Sequence, residues 1–217
     1  MKYLPVKIDQ LPPLDQYWDK PTLDKNGDEH PDGIFIEMGK CLSKWESLET
    51  SFAELFAYFI ESRSNVARRA YGYATVGRED ILRGAAEAFF LNHQADDETK
   101  RHFNIIMRHK QRGSKFRNEI AHGVVSELLS EKSFGFFLVP APYNSKKIET
   151  FIRRNRNVIP EEKFTVFDLM GCKYFYKSYH IRLVSNKFEV LQKCVWSFLG
   201  DLMHNYPNDI MVNFPKP

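Results

Sequence analysis

The chain has 217 residues, with 31 Lys and Arg against 28 Asp and Glu, a formal charge of +3. Its 43% hydrophobic and 27% charged residues are those of a folded globular chain, and its length gives a core that needs no disulfide staple. Cys41, Cys172 and Cys194 have no C-x-x-C spacing, which argues against a disulfide framework or a cysteine zinc site and suits a reducing, cytoplasmic location.

The N-terminal stretch holds prolines and acids where a signal peptide needs a continuous apolar run, and the most apolar run, Phe134–Tyr143, is broken by Pro140 and Pro142. No membrane partner is expected. Residues 1–33 carry four lysines against seven acids, about −3, and five prolines. They read as an extended acidic arm anchored by Leu11, Leu14, Tyr17 and Trp18. Within it, DKNGDEHPDG has a displaced glycine and Phe35 in place of the closing glutamate of a calcium loop, so a solvated turn is expected.

From Gly33 the apolar period becomes 3.6. Met38, Leu42, Trp45, Leu48, Phe52 and Phe59 predict one long helix to about Arg63. A helical piece is expected over Asn65–Tyr73, and a second over Glu79–Asn92 with acids in its first turn. Asp96 and Asp97 supply a cap for a basic helix with apolar face Phe103, Ile106, Phe116 and Ile120, kinked at Gly113-Ser114 and stopped by Gly123. Ser133–Tyr143 and Cys172–Ser178 are aromatic and β-prone and predict a small hairpin within an insertion over about 133–178. Ser178 is expected to cap a last helix whose seam runs Ile181, Val184, Phe188, Leu191, Val195, Phe198 and Leu202. The expected fold class is mainly α, an antiparallel helical bundle over 34–205 with a small β-hairpin insertion and an extended N-terminal arm. Residues 206–217 are expected to be a C-terminal tail.

Walker, G-x-G-x-x-G, H-E-x-x-H and G-x-S-x-G motifs are all missing from the sequence. His102 and His109 share a helix face at i, i+7 without a ligand between them, so no metal site and no cofactor is expected. The informative stretch is KFRNEIAHG, Lys115–Gly123. Asn118 and His122, at i, i+4, lie about 40° apart on one helix face, while Arg117 lies about 140° from His122 and must wrap its side chain around the helix. A helix C-terminus favours a cationic imidazole. Arginine grips phosphate bidentately and histidine moves protons, a combination suited to phosphodiester chemistry.

This stretch resembles the signature of the HEPN superfamily, helical proteins whose R-x(4–6)-H motif is a metal-independent RNase site in many members. The order of elements over about Gly33–Asn205 agrees with that resemblance, although only the nine residues around the motif are specific. The resemblance implies a homodimer with two motif helices facing each other across a cleft, and endonucleolytic cleavage that leaves a 2′,3′-cyclic phosphate. It casts His122 as base or acid, Arg117 as stabiliser of the phosphorane, and Asn118 as the residue that orients the histidine or the phosphate. Family members serve as toxins or antiviral defence effectors, which implies an antitoxin or regulatory protein as a further partner.

Charge distribution points to the same partner class. Lys100–Gly123 holds seven basic residues and one acid, about +6. Arg108, Lys110, Arg112 and Lys115 within it are expected to bind RNA, and Lys146, Lys147, Arg153, Arg154 and Arg156 form a second cluster. The alternative is a non-catalytic RNA- or nucleotide-binding or regulatory module, and a third is a helical scaffold without nucleic acid. An acidic arm laid over a basic cleft would act as an autoinhibitor.

Overall fold

The computed structural model describes residues 8–22, 25–62, 64–74, 77–129, 134–140 and 173–207. After a short 3-10 turn, Ile8–Gln10, the elements in chain order are helices α1 (Leu14–Tyr17), α2 (Pro31–Phe59), α3 (Asn65–Tyr73), α4 (Arg78–Asn92) and α5 (Asp97–Ala121). Strands β1 (Val124–Leu129) and β2 (Phe134–Val139) and helix α6 (Ser178–Asn205) follow. The fold is mainly α with one small antiparallel sheet. Among the described residues, no helix is long and apolar enough to cross a membrane.

The chain forms two compact units. The first comprises Met1–Tyr17, Lys44–Arg112 and Lys187–Pro217. Its core is aromatic: Phe59 meets Phe89, Phe90 and Phe103 at ring-centroid distances of 5.3 to 5.5 Å, and Trp45 meets Phe188 edge-on at 5.0 Å. Aromatic pairs in these tilted and T-shaped geometries add to the stabilisation from burial itself. The helix ends are closed by side chains. Ser64 Oγ accepts from Val66 N–H at the start of α3, and Asp96 Oδ1 accepts from Thr99 N–H at the start of α5. Arg78 donates to the carbonyls of Gly72, in the last turn of α3, and of Ala74, its C-cap, and Gly77, before α4, has φ +77°. Tyr58 Oη donates to the Leu202 and Tyr206 carbonyls at the end of α6.

The second unit comprises Trp18–Ser43 and Gly113–Asn186. Its hairpin pairs Val124 with Val139 through to Leu129 with Phe134. This corrects the predicted pairing in two respects. Val124–Leu129 is a strand, although only its valines signal one, and the described part of the Cys172–Ser178 stretch, from residue 173, contributes an isolated bridge, Leu138 to Tyr176, with N···O distances of 2.8 and 3.0 Å. The far edge of β2 is covered by Asn26 and Asp28, which bridge to Phe134 and Phe136. The segment expected to be a solvated turn is therefore an edge partner. Gly27 is required there, since a Cβ would stand 2.6 Å from the Phe136 carbonyl oxygen.

Ser178 proves to be the first residue of α6, and its cap comes from Asp28. The Asp28 carboxylate accepts from Ser178 N–H at 2.7 Å and from Ser178 Oγ at 2.9 Å. α5 runs without interruption through Gly113 and Ser114, where a kink was expected. The basic cluster at 146–156 and Cys172 lie outside the described residues.

Cys41 and Cys194 are fully buried, and burial pushes their thiols up to about 12 and about 11, with Glu37 adding to the shift at Cys41. Neither is a thiolate near neutrality. Iodoacetamide at pH 8 is expected to leave both unlabelled in the native protein and to label both in denaturant. Labelling of either native thiol, mapped by mass spectrometry, would contradict this.

Candidate functional site

α5 carries the motif near its C-terminus. Phe116 and Ile120 face inward, buried, and this fixes the helix's rotation. Arg108, Arg112, Lys115, Asn118 and His122 then recur at steps of 4, 3, 3 and 4, and all five are exposed. They form one polar stripe, with His122 one residue past the helix end, its N–H still bonded to the Asn118 carbonyl at 3.1 Å.

Arg117 leaves from the other side and is half-buried. Its Nη1 donates to Asn118 Oδ1 at 3.0 Å, so the guanidinium wraps around the helix toward the stripe, as the 140° offset requires. Asn118 thus links the arginine to the face on which His122 stands. The structure brings Arg117 and Asn118 into direct contact and sets His122 one turn further along.

The second unit supplies neighbours that sequence reasoning missed. Glu119, the one acid of the motif stretch, accepts from Tyr176 Oη at 2.7 Å and forms an ion pair with Lys20. Burial, then the Glu119 charge, drives the Tyr176 hydroxyl far above its ordinary value, so it remains a donor. Lys20 Nζ also stands 3.8 Å from the centroid of Phe116, and Trp18 packs on the same ring at 5.5 Å. Lys20, in the arm, thus pairs with the one acid of the motif stretch. No local signal links Lys20 or Tyr176 to Glu119, because the partners lie 99 and 57 residues away.

Gly123 was expected to stop the helix. Its φ is not in the left-handed region, and the requirement is space: a Cβ would stand 2.8 Å from Leu138 Cδ1 and Val139 O and 2.9 Å from Glu119 O. Two of these three are backbone oxygens of elements that cannot easily move. Gly123→Ala is expected to lower stability by about 1–3 kcal/mol through overpacking. Urea unfolding checks this, and an unchanged midpoint would show that the hairpin yields.

Lys110 requires a correction. It is buried, with Nζ 2.9 Å from Glu49 Oε1 and side-chain exposures of 4% and 9%, so it has no surface to offer RNA. The cause is helical phase: Lys110 lies between stripe positions 108 and 112, about 160° from each, on the inward face. Arg108, Arg112 and Lys115 remain on the exposed side.

The histidines of the first half of α5 also have separate fates. His109 is buried edge-on to Tyr17 at 5.0 Å, and burial lowers its pKa. His102 Nε2 lies 3.2 Å from Asp9 Oδ1. Asp9, Glu98 and His102 place their ligand atoms within 4.8 Å of one another, but Arg101 Nη2 already stands 3.1 Å from Asp9 Oδ1 and 3.2 Å from His102 Nε2, in a cation's place.

Comparisons with protein-family models, with curated proteins and with solved structures found no match.

Proposed function

We propose that this chain is a metal-independent endoribonuclease of the HEPN type, acting as a homodimer on RNA in the cytoplasm. The single observation that carries this is the wrap of Arg117 onto Asn118, on a helix face that ends in exposed His122 and also presents Arg108, Arg112 and Lys115. In the reaction, the RNA 2′-oxygen bonds to the adjacent phosphorus as the P–O5′ bond breaks. The proton leaving the 2′-oxygen and the proton reaching the 5′-oxygen pass through His122 imidazoles. Arg117 holds the charge that builds on the phosphorane oxygens, and Asn118 fixes the direction of the guanidinium. Arg108, Arg112 and Lys115 track the backbone phosphates. A toxin or defence effector held in check by an antitoxin or regulatory protein is the physiological setting that goes with this chemistry.

The test is incubation of purified protein with RNA in EDTA and mapping of the ends. Fragments with 2′,3′-cyclic phosphate and 5′-hydroxyl ends are expected. Salt-sensitive RNA binding without cleavage would instead identify a binding module.

A further inference from the structure

Glu119 is the one acid on a helix end that the proposed reaction needs to be positive, and its partners are not those that helix geometry offers first. At 100° per residue it lies about 40° from Lys115, at i−4, and about 60° from His122, at i+3. These are the two spacings at which oppositely charged side chains on a helix surface pair. Lys115 and His122 are both exposed. A carboxylate left to itself between them would pair with one or the other, blunting a charge meant for phosphate or tying up the imidazole. Among the described residues it forms an ion pair with neither.

The carboxylate is held instead by groups from two distant parts of the second unit. Lys20 Nζ and Tyr176 Oη both bond to the same oxygen, Oε2. The Lys20 ammonium is fixed in turn. It stands 3.8 Å from the centroid of Phe116 and 4.8 Å from that of Tyr174, so two rings and one carboxylate surround it. Trp18 packs on Phe116, and Tyr174 meets Tyr176 edge-on at 5.7 Å. A lysine on an open surface would hold a carboxylate weakly. Here the rings and the Tyr176 hydroxyl fix both partners, and the Glu119 side chain is only 12% exposed.

We propose that Lys20 is a positioning residue for the motif: by holding Glu119, it leaves Lys115 and His122 free to meet an RNA phosphate. The inference rests on the RNA-cleaving reading given above. It gives the N-terminal arm a part in substrate binding.

Two variants that each remove one charge separate this role from simple attachment of the arm. Lys20→Met keeps an apolar stem against Phe116, and Glu119→Gln keeps an acceptor for Tyr176. If the pair only fastens the arm, both variants break the same bond and weaken RNA binding alike. If Lys20 keeps Glu119 from the stripe, they act in opposite directions. Lys20→Met is expected to weaken binding of a 2′-O-methyl oligonucleotide, which has no 2′-hydroxyl to attack with, about threefold at low salt and less as salt rises. Glu119→Gln is expected to bind as tightly as wild type or more tightly, and the double variant to return to wild-type affinity. Fluorescence anisotropy with the full chain reads all four proteins. A crystal structure of Lys20→Met reads the same claim without RNA: the Glu119 carboxylate is expected within about 4 Å of Lys115 Nζ or the His122 ring. Weakening in both single variants, no change in Lys20→Met, no rescue in the double variant, or a Glu119 that reaches neither residue would overturn the proposal. A wild-type protein that binds no RNA, with a Glu119 that does turn in Lys20→Met, would overturn the RNA reading and uphold the hold of Lys20 on Glu119.

Discussion

His122→Ala is expected to lower RNA cleavage by about 10²–10⁴-fold, the usual contribution of a general acid–base group, with the melting temperature nearly unchanged. The two halves of that expectation rest on separate facts. His122 is exposed just beyond the end of α5, so its truncation removes little packing, and surface changes of this kind stay within about 0.5 kcal/mol. Proton transfer, by contrast, has no substitute on the stripe, where the other exposed groups are an amide and permanently charged bases. Arg117→Ala should also lose cleavage, by about 10²–10³-fold, the size of effect seen when a transition-state donor is removed. Because Arg117 is half-buried, some loss of stability should accompany it. Arg117→Lys separates the two effects: it keeps the charge and most of the stem but loses the planar fork, so stability should return and activity should not. Asn118→Ala frees the guanidinium without removing it, and an intermediate loss confined to kcat is expected. Gel assays with end-group analysis read all four. Wild-type rates in His122→Ala would remove the catalytic assignment whatever the other variants do.

The parts of the molecule legible in the sequence are those set by local periodicity. α3 and α4 fall within one residue of expectation, and the seam of α6 is buried throughout from Ile181 to Leu202, because a 3.6-residue apolar period reports its own burial. The same rule places Asn118 and His122 on one face and sends Arg117 around the helix. What escaped depends on residues far apart in the chain. Asp28 caps α6 from 150 residues away, and Ser178, the local cap candidate, became its donor. Strand β1 has a weak pattern of its own and exists because β2 pairs with it. Gly123 followed a sound capping rule to the right residue for the wrong reason: the pressure on it comes from Leu138 and Val139, not from its φ. Lys110 was grouped with its basic neighbours by composition, although its helical phase already pointed inward.

Lys110 and Glu49 are expected to give the largest stability effects in the first unit. Lys110 Nζ sits 2.9 Å from Glu49 Oε1, and within 5.2 and 5.8 Å of the Phe52 and Trp45 ring centroids. The second carboxylate oxygen, Oε2, is buried without a hydrogen bond, with Arg78 Nη1 3.6 Å away. Removing one partner of such a pair strands the other charge in a poorly solvated place, at about 3–5 kcal/mol, a large part of the 5–15 kcal/mol that holds a typical domain folded. The order of the two single variants follows from Arg78. Lys110→Ala leaves Glu49 a cation at 3.6 Å, whereas Glu49→Ala leaves the buried ammonium and the Arg78 guanidinium with no anion between them, so Glu49→Ala should be the more damaging. Replacing both together, as Glu49→Leu with Lys110→Met, removes both desolvation penalties and should recover most of the loss. Urea unfolding of the wild type, the two single variants and the double variant checks this order, and a double variant no more stable than Glu49→Ala would contradict it. Lys110→Met should leave the salt dependence of RNA binding unchanged, whereas Arg112→Ala or Lys115→Ala should each reduce the slope of log K against log salt by about one. A reduced slope in Lys110→Met, without loss of stability, would return that lysine to the RNA-binding stripe.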